Sequence, residues 1–183
     1  MYWGTTNIGA SKPEDYGDYY AWGETAPRWY FFWSIYKFGT RPPGPFSKYN
    51  TISSYGSIDN KTVLEPEDDV AHVKLGGKWR MPTDAEWTEL RTKCTWTWVT
   101  NYNGSGINGR LVKATNGNSI FLPAAGRLYD TLPSLAGSLG RYWSSSLNTD
   151  YPYNAWGVDF GSDYMYKDYS GRSHGQSVRP VSE

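Results

Sequence analysis

Turns divide the second half of the chain into short segments, and this division constrains the fold more than any other feature. TWTWV (95–99) alternates threonine with large apolar residues, which is the pattern of a half-buried strand. After the turn NYNGSGING (101–109) come RLVKAT (110–115), the turn NGN (116–118) and SIFLPAAG (119–126). This spacing predicts short, mostly antiparallel strands joined by hairpin turns.

A helix is predicted directly before these strands, in MPTDAEWTELRTKC (81–94). Thr83 can accept a hydrogen bond at the helix start, and Glu86 stands three residues later, which is the spacing of a capping box. The helical spacing of three further residues predicts its buried face: Trp87, Leu90 and Cys94. Cys94 is interpreted as a small core residue rather than a catalytic thiol.

A second, shorter helix is predicted over residues 65–75, EPEDDVAHVKL. Pro66 suits a first helical turn, and the acidic residues after it favour the positive end of the helix dipole. The apolar stripe is expected at Val70, Val73 and Lys74 or Leu75, and the helix should end at Gly76 and Gly77. Two early helices followed by many short strands indicate an α+β fold.

The remaining segments are predicted from their composition. Residues 1–60 read as strands and loops, and residues 129–140 (YDTLPSLAGSLG) as a loop. The most apolar stretch is RWYFFWSIYKF (28–38), which could form a buried strand or an exposed patch; we expect it to be mostly buried. No apolar run is long enough to span a bilayer, so direct membrane insertion of this chain is not expected.

Charge and aromatic content narrow the classes of partner. The chain has 18 basic and 18 acidic residues, so its formal net charge of zero argues against nucleic acid as a partner. It also has 10 Trp and 16 Tyr, and such amphipathic rings are typical of binding surfaces. We expect most Trp residues in the core and many Tyr residues at the surface.

The polar stretch near the C-terminus combines an apolar and a polar pattern. Of residues 147–175, more than half are Asn, Asp, Tyr, Ser or His. Within AWGVDFG (155–161), alternation predicts a strand that buries Trp156, Val158 and Phe160 on one face. Its outer face is then expected to carry Gly157, Asp159 and Gly161.

Further exposed residues are expected around this strand. The loop before it contributes Asp150, Tyr151, Tyr153 and Asn154, and the segment after it contributes Asp163, Tyr164, Tyr166, Asp168, Tyr169, Ser173 and His174. Tyrosine offers a large contact area at a small entropic cost, and Ser, Gly and Asn add adaptable hydrogen bonds, as in antibody paratopes. Together with Gly157, Asp159 and Gly161, these positions are the candidate ligand-binding residues, whereas Arg172 and Gly175 are expected to be framework.

Several sequence blocks resemble one bacterial family. GGKWRMPTDAEW (76–87), NGNSIFLPAAGR (116–127), GRYWSSS (140–146) and SVRPV (177–181) resemble the Fibrobacter succinogenes major paralogous domain, and the similarity extends over about residues 3–182. The resemblance implies a C-type lectin fold of the formylglycine-generating-enzyme type, in one domain spanning 1–183. It also implies export to the extracellular space or cell surface, as part of a lipoprotein of gut bacteria such as Bacteroides.

The resemblance further implies a function. The same fold and terminal blocks occur in variable proteins of diversity-generating retroelements, in which a C-terminal segment is hypermutated to create new binding surfaces. Applied to this chain, it implies a scaffold over about 1–146, a hypervariable ligand-binding segment over about 147–176 and a framework strand over 177–183. The ligand would be a protein or a surface glycan. The alternative is a surface lipoprotein domain of the same family with a fixed ligand and no diversification.

Enzymatic and metal-binding functions have less support in the residues. The related formylglycine-generating enzymes use two cysteines with copper, and related sulfoxide synthases need several histidines; this chain has Cys94, His72 and His174. Calcium-dependent sugar binders of the C-type lectin class use Glu-Pro-Asn or Gln-Pro-Asp, and EPEDD (65–69) continues differently. We therefore expect no catalytic residue and no cofactor, with a structural Ca²⁺ left open.

Overall fold

The computed structural model describes residues 1–183 except for the side chains of 132 and 133, and in this part of the chain it contains two α-helices and ten short strands. The helices are α1 (Val70–Leu75) and α2 (Asp84–Lys93). The strands are β1 (Tyr2–Trp3), β2 (Thr95–Val99), β3 (Gly109–Lys113), β4 (Ser119–Pro123), β5 (Arg127–Tyr129), β6 (Leu132–Ser134), β7 (Gly140–Leu147), β8 (Asn154–Phe160), β9 (Met165–Gly171) and β10 (Val181–Ser182).

The strands pair antiparallel in four small sheets, so the predicted α+β class is confirmed. The sheets are β1-β10, β2-β3-β4, β5-β6 and β7-β8-β9. The predicted hairpins of residues 95–126 are present as β2, β3 and β4. Residues 129–140 were expected to form only a loop, but β6 lies within them because its backbone pairs with β5.

Local sequence signals set the position of α2. The side chain of Thr83 accepts from the backbone N–H of Glu86, and the carboxylate of Glu86 accepts from the N–H of Thr83 at 2.8 Å. The predicted capping box is therefore confirmed. Trp87 and Leu90 are buried and Cys94 is half-buried against the same cluster, so the predicted face is confirmed as well.

The shorter helix differs from its prediction. Residues 66–68 form a 3-10 turn, and α1 begins only after Asp69, whose carboxylate accepts from the backbone N–H groups of Ala71, His72 and Met81. Val70 and Ala71 are buried, whereas Val73 and Leu75 are exposed, so the predicted apolar stripe is wrong at these two positions. The reason is that α1 has only six residues. The hydrogen bond from the Met81 N–H to Asp69 fixes its first turn, so that only this turn packs against the core.

The aromatic stretch 28–38 is less buried than expected. Phe31, Tyr36 and Phe38 reach the core, but the stretch crosses the surface as irregular chain and a 3-10 turn (Trp33–Ile35). Trp33 also packs against the core cluster, whereas four other large apolar side chains of the stretch point outward. We call these four exposed side chains the aromatic ridge: Trp29, Tyr30, Phe32 and Ile35.

The sheet β7-β8-β9 lies between two apolar clusters. Tyr142 and Trp143 are consecutive in β7 and therefore point to opposite faces, and both are completely buried. Trp143 packs with the N-terminal loops, where its Nε1 donates to the carbonyl of Tyr20 at 2.8 Å. Tyr142 packs with Phe160 and with Trp87 of α2.

Two buried arginines join distant parts of the chain. Arg179 donates to the side-chain oxygen of Asn7 at 2.9 Å and to the carbonyls of Gly4 and Phe121 at 3.0 and 2.8 Å. Arg172 donates to the hydroxyl of Tyr36 and to the carbonyls of Lys48, Tyr49 and Pro152 at 2.9–3.1 Å. Both side chains are completely buried, which is consistent with a framework role for Arg172 and for the terminal block 177–181 that contains Arg179.

Candidate functional site

One face of the β7-β8-β9 sheet is covered at Trp143 but open at its other end. There the register aligns Arg141 with Asp159 and Asp159 with Tyr166, so these three side chains share one face. Asp168, two residues further along β9, lies on the same side. We call this surface, with the neighbouring Tyr129, Tyr164 and His174, the open face.

An ionic network holds the base of the open face. The guanidinium of Arg141 donates to the carboxylate of Asp159, to Asp168 Oδ2 at 2.6 Å and to Ser170 Oγ at 2.9 Å. Asp159 was expected to be exposed, but it is only 2% exposed, because it lies on the central strand beneath that guanidinium. Burial raises the pKa of Asp159, and the hydrogen bond from Arg141 opposes this effect.

Two tyrosines stand on the outer part of this face. Tyr164 and Tyr166 are 41% and 46% exposed, and their rings stack with centroids 5.2 Å apart. Their predicted exposure is confirmed, and Asp168 beside them is half-buried. The open face thus presents tyrosine rings next to an arginine, and both residue types are enriched among those that contribute most to binding at protein interfaces.

Residues 174–177 extend the open face towards β5. Leu128 and Gly175 pair antiparallel, so Tyr129 lies beside His174, with ring centroids 4.8 Å apart, and Arg127 lies beside Gln176. His174 is half-buried; burial lowers its pKa to about 4, and the positive charges of Arg127 and Arg141 act in the same direction. The imidazole is therefore neutral at pH 7.

Sequence patterns did not predict that Arg127 and Tyr129 belong to the candidate site. Tyr129 is the first residue of a segment predicted as a loop, and Arg127 lies just before it; the pairing of Leu128 with Gly175 brings both residues to the site. A local pattern cannot reveal such a contact between residues nearly fifty positions apart.

Tyr169 lies on the opposite face of the sheet. Strand alternation separates it from Tyr166 and Asp168 and places it against Trp156, with ring centroids 5.5 Å apart. Lys167 Nζ lies 3.7 Å from the Trp156 ring centroid and 2.7 Å from Asp84 Oδ2. Trp156 was expected to be buried with Val158 and Phe160 but is only half-buried, because only the latter two pack in the cluster that contains Trp87 and Leu90 of α2.

The loop before β8 forms a separate aromatic group. Asp150 and Tyr151 are exposed as predicted, and the half-buried Tyr153 ring lies 6.0 Å from Tyr55 and 6.1 Å from Tyr151. Asn154 was expected in this loop but is a buried first residue of β8. At the other end of the sheet, Asp163 is exposed in the β8–β9 turn.

Three more candidates are buried rather than exposed. A Cβ on Gly157 would lie 2.3 Å from the carbonyl oxygen of Tyr142, and one on Gly161 would lie 2.6 Å from the ring of Tyr164. Ser173 is buried because the preceding Arg172 draws the turn into the core. Side-chain display at Gly157, Gly161 and Ser173 is therefore contradicted, as it is at Asn154 and Asp159.

The acidic stretch 65–69 brings three carboxylates together around lysines. Oxygens of Glu65, Glu67 and Asp68 lie within 4.8 Å of one another. Lys48 Nζ lies 2.6, 3.0 and 2.5 Å from these three carboxylates, and Lys37 Nζ lies 2.5 Å from Asp68 Oδ1. An ammonium group thus occupies the position that a cation would take among them.

The cysteine and the two histidines of the chain lie in separate parts of the fold. Burial raises the pKa of the Cys94 thiol, which favours its unreactive protonated form. His72 Nδ1 lies 3.2 Å from the carbonyl oxygen of Trp79. Cys94 follows α2, His72 lies in α1 and His174 lies on the open face, so these three residues belong to different parts of the fold.

Removing either outer tyrosine of the open face should leave the fold intact. For Tyr164→Ala and Tyr166→Ala, we expect the free energy of unfolding to change by about 0.5 kcal/mol or less, because both side chains are exposed at the surface and lie outside the buried core clusters. Chemical denaturation measures this change, with the buried Tyr142→Ala as the control that should lose roughly 3 kcal/mol or more. A loss above about 2 kcal/mol at Tyr164 or Tyr166 would show that these rings belong to the core.

His174 should make stability depend on pH. In the unfolded chain its pKa is about 6.5, and in the folded chain it is about 4. As pH falls from 6.5 to 4, only the unfolded state gains the proton, so stability is lost across this range, by at most about 3 kcal/mol. Denaturation curves of the wild type and His174→Gln isolate the effect: their difference in stability should change between pH 7 and pH 4, and a constant difference would contradict this assignment.

Neither helix of the described residues is long and apolar enough to cross a membrane. No protein-family model matches the chain, and no curated protein or solved structure matches it either. The resemblance carried by the sequence blocks therefore stays a prediction.

Proposed function

We propose that this chain is a non-enzymatic ligand-binding display protein with a C-type lectin fold, exported to the cell surface or beyond. The observation that carries the proposal is the division within residues 147–176 between fixed and displayed side chains. Arg172, Val158 and Phe160 are buried, whereas Tyr164 and Tyr166 project from the same segment into water. Substitution of the displayed residues would change the surface and leave the packing almost untouched.

The displayed set is narrower than the sequence predicts. It contains the exposed or half-buried candidates Asp150, Tyr151, Tyr153, Asp163, Tyr164, Tyr166, Asp168, Tyr169 and His174. Of these, Tyr164, Tyr166, Asp168 and His174 lie on the open face, and the buried arginines and the α2–sheet cluster supply its rigid support. Tyrosine-rich surfaces on rigid supports are the physical basis of antibody recognition.

We further propose that a retroelement diversifies this segment. The alternative, a fixed ligand, has one specific observation in its favour: Arg141 binds Asp159 and Asp168 together, and free variation at either position would break that network. The complete genome sequence of the source organism distinguishes diversification from a fixed ligand. A nearby reverse transcriptase gene, with a second copy of the segment's DNA that differs only at adenines, would support diversification, and the absence of both would leave the fixed ligand.

Ligand binding itself can be tested by selection. A library randomised at Tyr164 and Tyr166, the neighbouring exposed rings of the open face, should yield specific binders to unrelated target proteins. A matched control library is randomised at Thr88 and Glu89, which are exposed on α2 away from the open face. This control library should yield no binders. Equal yields from both libraries would contradict the assignment of the open face as the binding surface.

A further inference from the structure

Beneath the tyrosines of the open face lies a cluster of polar atoms without hydrogen-bond partners. Among the described residues, these buried atoms include Arg127 Nε, Asp159 Oδ1, His174 Nδ1 and Gln176 Nε2. We call these four residues the polar floor. A buried polar group without a partner destabilises the fold, so several at one place indicate a site that receives partners from outside the chain.

Backbone pairing places the members of the polar floor side by side. Leu128 pairs with Gly175, which sets Arg127 beside Gln176, and Tyr142 pairs with Ser177, which sets Arg141 beside Gln176 on the other side. Asp159 follows across β7 and β8. Arg127 is also close enough for its charge to lower the pKa of both Asp159 and His174.

The unpaired atoms of the polar floor are buried in the protein rather than exposed at its surface. Gln176 and Asp159 are 1% and 2% exposed, yet one polar atom of each has no partner. The side chains above them are exposed: Tyr129 packs edge-on against His174, and Tyr164 lies over Gly161, next to Asp159. Rotation of exposed rings takes picoseconds to nanoseconds, so a ligand group can displace these covers.

The unpaired atoms determine which kind of ligand group could form hydrogen bonds with them. Arg127 Nε and Gln176 Nε2 carry N–H donors, and Asp159 Oδ1 is an acceptor. Arg127 and Arg141 balance Asp159 and Asp168 in charge, and His174 is neutral at pH 7. A neutral group with one acceptor and one donor therefore fits the floor better than an ion does, and a carboxamide has this composition.

The aromatic ridge identifies the kind of molecule that presents the amide. Phe31 pairs with Asp130, which sets Phe32 beside Tyr129 and makes the ridge continuous with the open face. Trp29 is 79% exposed, and Phe32 and Ile35, which have no polar tip, are exposed too. Exposed apolar side chains bordered by polar residues are typical of surfaces that bind proteins.

We propose that the polar floor binds a carboxamide of a partner protein, either a side-chain amide of Asn or Gln or a peptide group, while the aromatic ridge packs against apolar side chains around it. This inference rests on the proposed binding function of the open face and names the chemistry of its ligand. The carbonyl oxygen of the amide would accept from Arg127 and Gln176, and its N–H would donate to Asp159. Such pairing would give partners to three of the four unpaired atoms of the polar floor, and the free energy gained in this way would favour binding at this site.

Titration of the ¹⁵N-labelled protein with propionamide, observed by NMR, tests the proposal. The side-chain N–H signals of Arg127 and Gln176 should shift saturably, with a dissociation constant on the order of 10 mM for so small a probe. Propionate, which has the same shape but is charged, should bind at least about fivefold more weakly because no donor meets Asp159. Arg127→Met should weaken propionamide binding by a similar factor.

The matched control is Arg91→Met. Arg91 Nε is also buried without a partner, but it lies in α2, away from the open face, so this variant should bind propionamide like the wild type. Near-ultraviolet circular dichroism checks that both variants are folded. The proposal is overturned if the signals of Arg127 and Gln176 do not shift saturably, if both variants bind alike, or if propionate binds as well as propionamide.

A sugar is the competing source of the amide. N-acetylglucosamine carries an acetamido group on a polar ring, and tenfold tighter binding of this probe than of propionamide would contradict a protein partner. The failure of this inference and the failure of the proposed function are distinguishable. If the polar floor binds no amide but libraries at Tyr164 and Tyr166 still yield binders, the open face remains a binding surface and only the inference about amide binding is wrong.

Discussion

Arg172→Met is expected to lower the free energy of unfolding by about 3–5 kcal/mol. The guanidinium is completely buried and donates to four oxygens, which belong to Tyr36, Lys48, Tyr49 and Pro152. Five aromatic rings also surround it, with centroids 4.8–6.0 Å from its central carbon: Trp22, Tyr36, Phe38, Phe46 and Tyr49. Methionine can fill the space but leaves the oxygens unpaired in a dry interior.

Guanidinium chloride denaturation measures the effect of Arg172→Met. Arg41→Met is the control, since Arg41 is exposed and its loss should change stability by about 0.5 kcal/mol or less. A loss below about 1 kcal/mol at Arg172 would mean that water or rearranged side chains replace the guanidinium, and that this residue does not hold the base of the displayed segment.

Trp143→Ala is expected to cost about 3–5 kcal/mol. Its ring is completely buried between β7 and the N-terminal loops, and its Nε1 donates to the carbonyl of Tyr20 at 2.8 Å. The substitution leaves a large cavity and an unpaired carbonyl together. The unfolding midpoint in denaturant should fall accordingly, and the slope of the transition should stay the same if the native state remains intact.

Trp156→Ala provides the matched comparison for Trp143. Trp156 is only half-buried, against Tyr169 and Lys167, so its loss should cost clearly less, about 1–2 kcal/mol. Equal losses at the two tryptophans would show that the edge of the sheet is packed as tightly as its centre, which would contradict the distinction between frame and surface.

The sequence predicted those parts of the fold that local chemistry determines. The capping box of Thr83 and Glu86 and the alternation in Thr95–Val99 act within a few residues, and both predictions are confirmed. Alternation in residues 155–161 correctly placed Asp159 and Phe160 on opposite faces, but it could not show that Arg141 covers Asp159. Burial of Asp159 depends on a residue 18 positions earlier in the chain, and no local pattern records that contact.

The candidate site was predicted in part for the same reason. Tyr164 and Tyr166 could be recognised because they lie in a polar segment with little apolar sequence around them, and they are exposed as expected. Tyr169 looked equivalent in the sequence, but alternation in β9 places it on the opposite face. The polar floor could not be predicted at all, since Arg127 and Gln176 meet only through the pairing of Leu128 with Gly175.

A direct comparison of two libraries tests the central claim that a tolerant surface stands on an intolerant frame. One library randomises the exposed Tyr151, Asp163, Tyr164, Tyr166 and Tyr169, and the other randomises the buried Asn154, Gly157, Asp159, Gly161 and Ser173 of the same segment. The measurement is the fraction of displayed clones that resist protease. We predict that most clones of the first library and few clones of the second are resistant, and equal fractions in the two libraries would contradict the account.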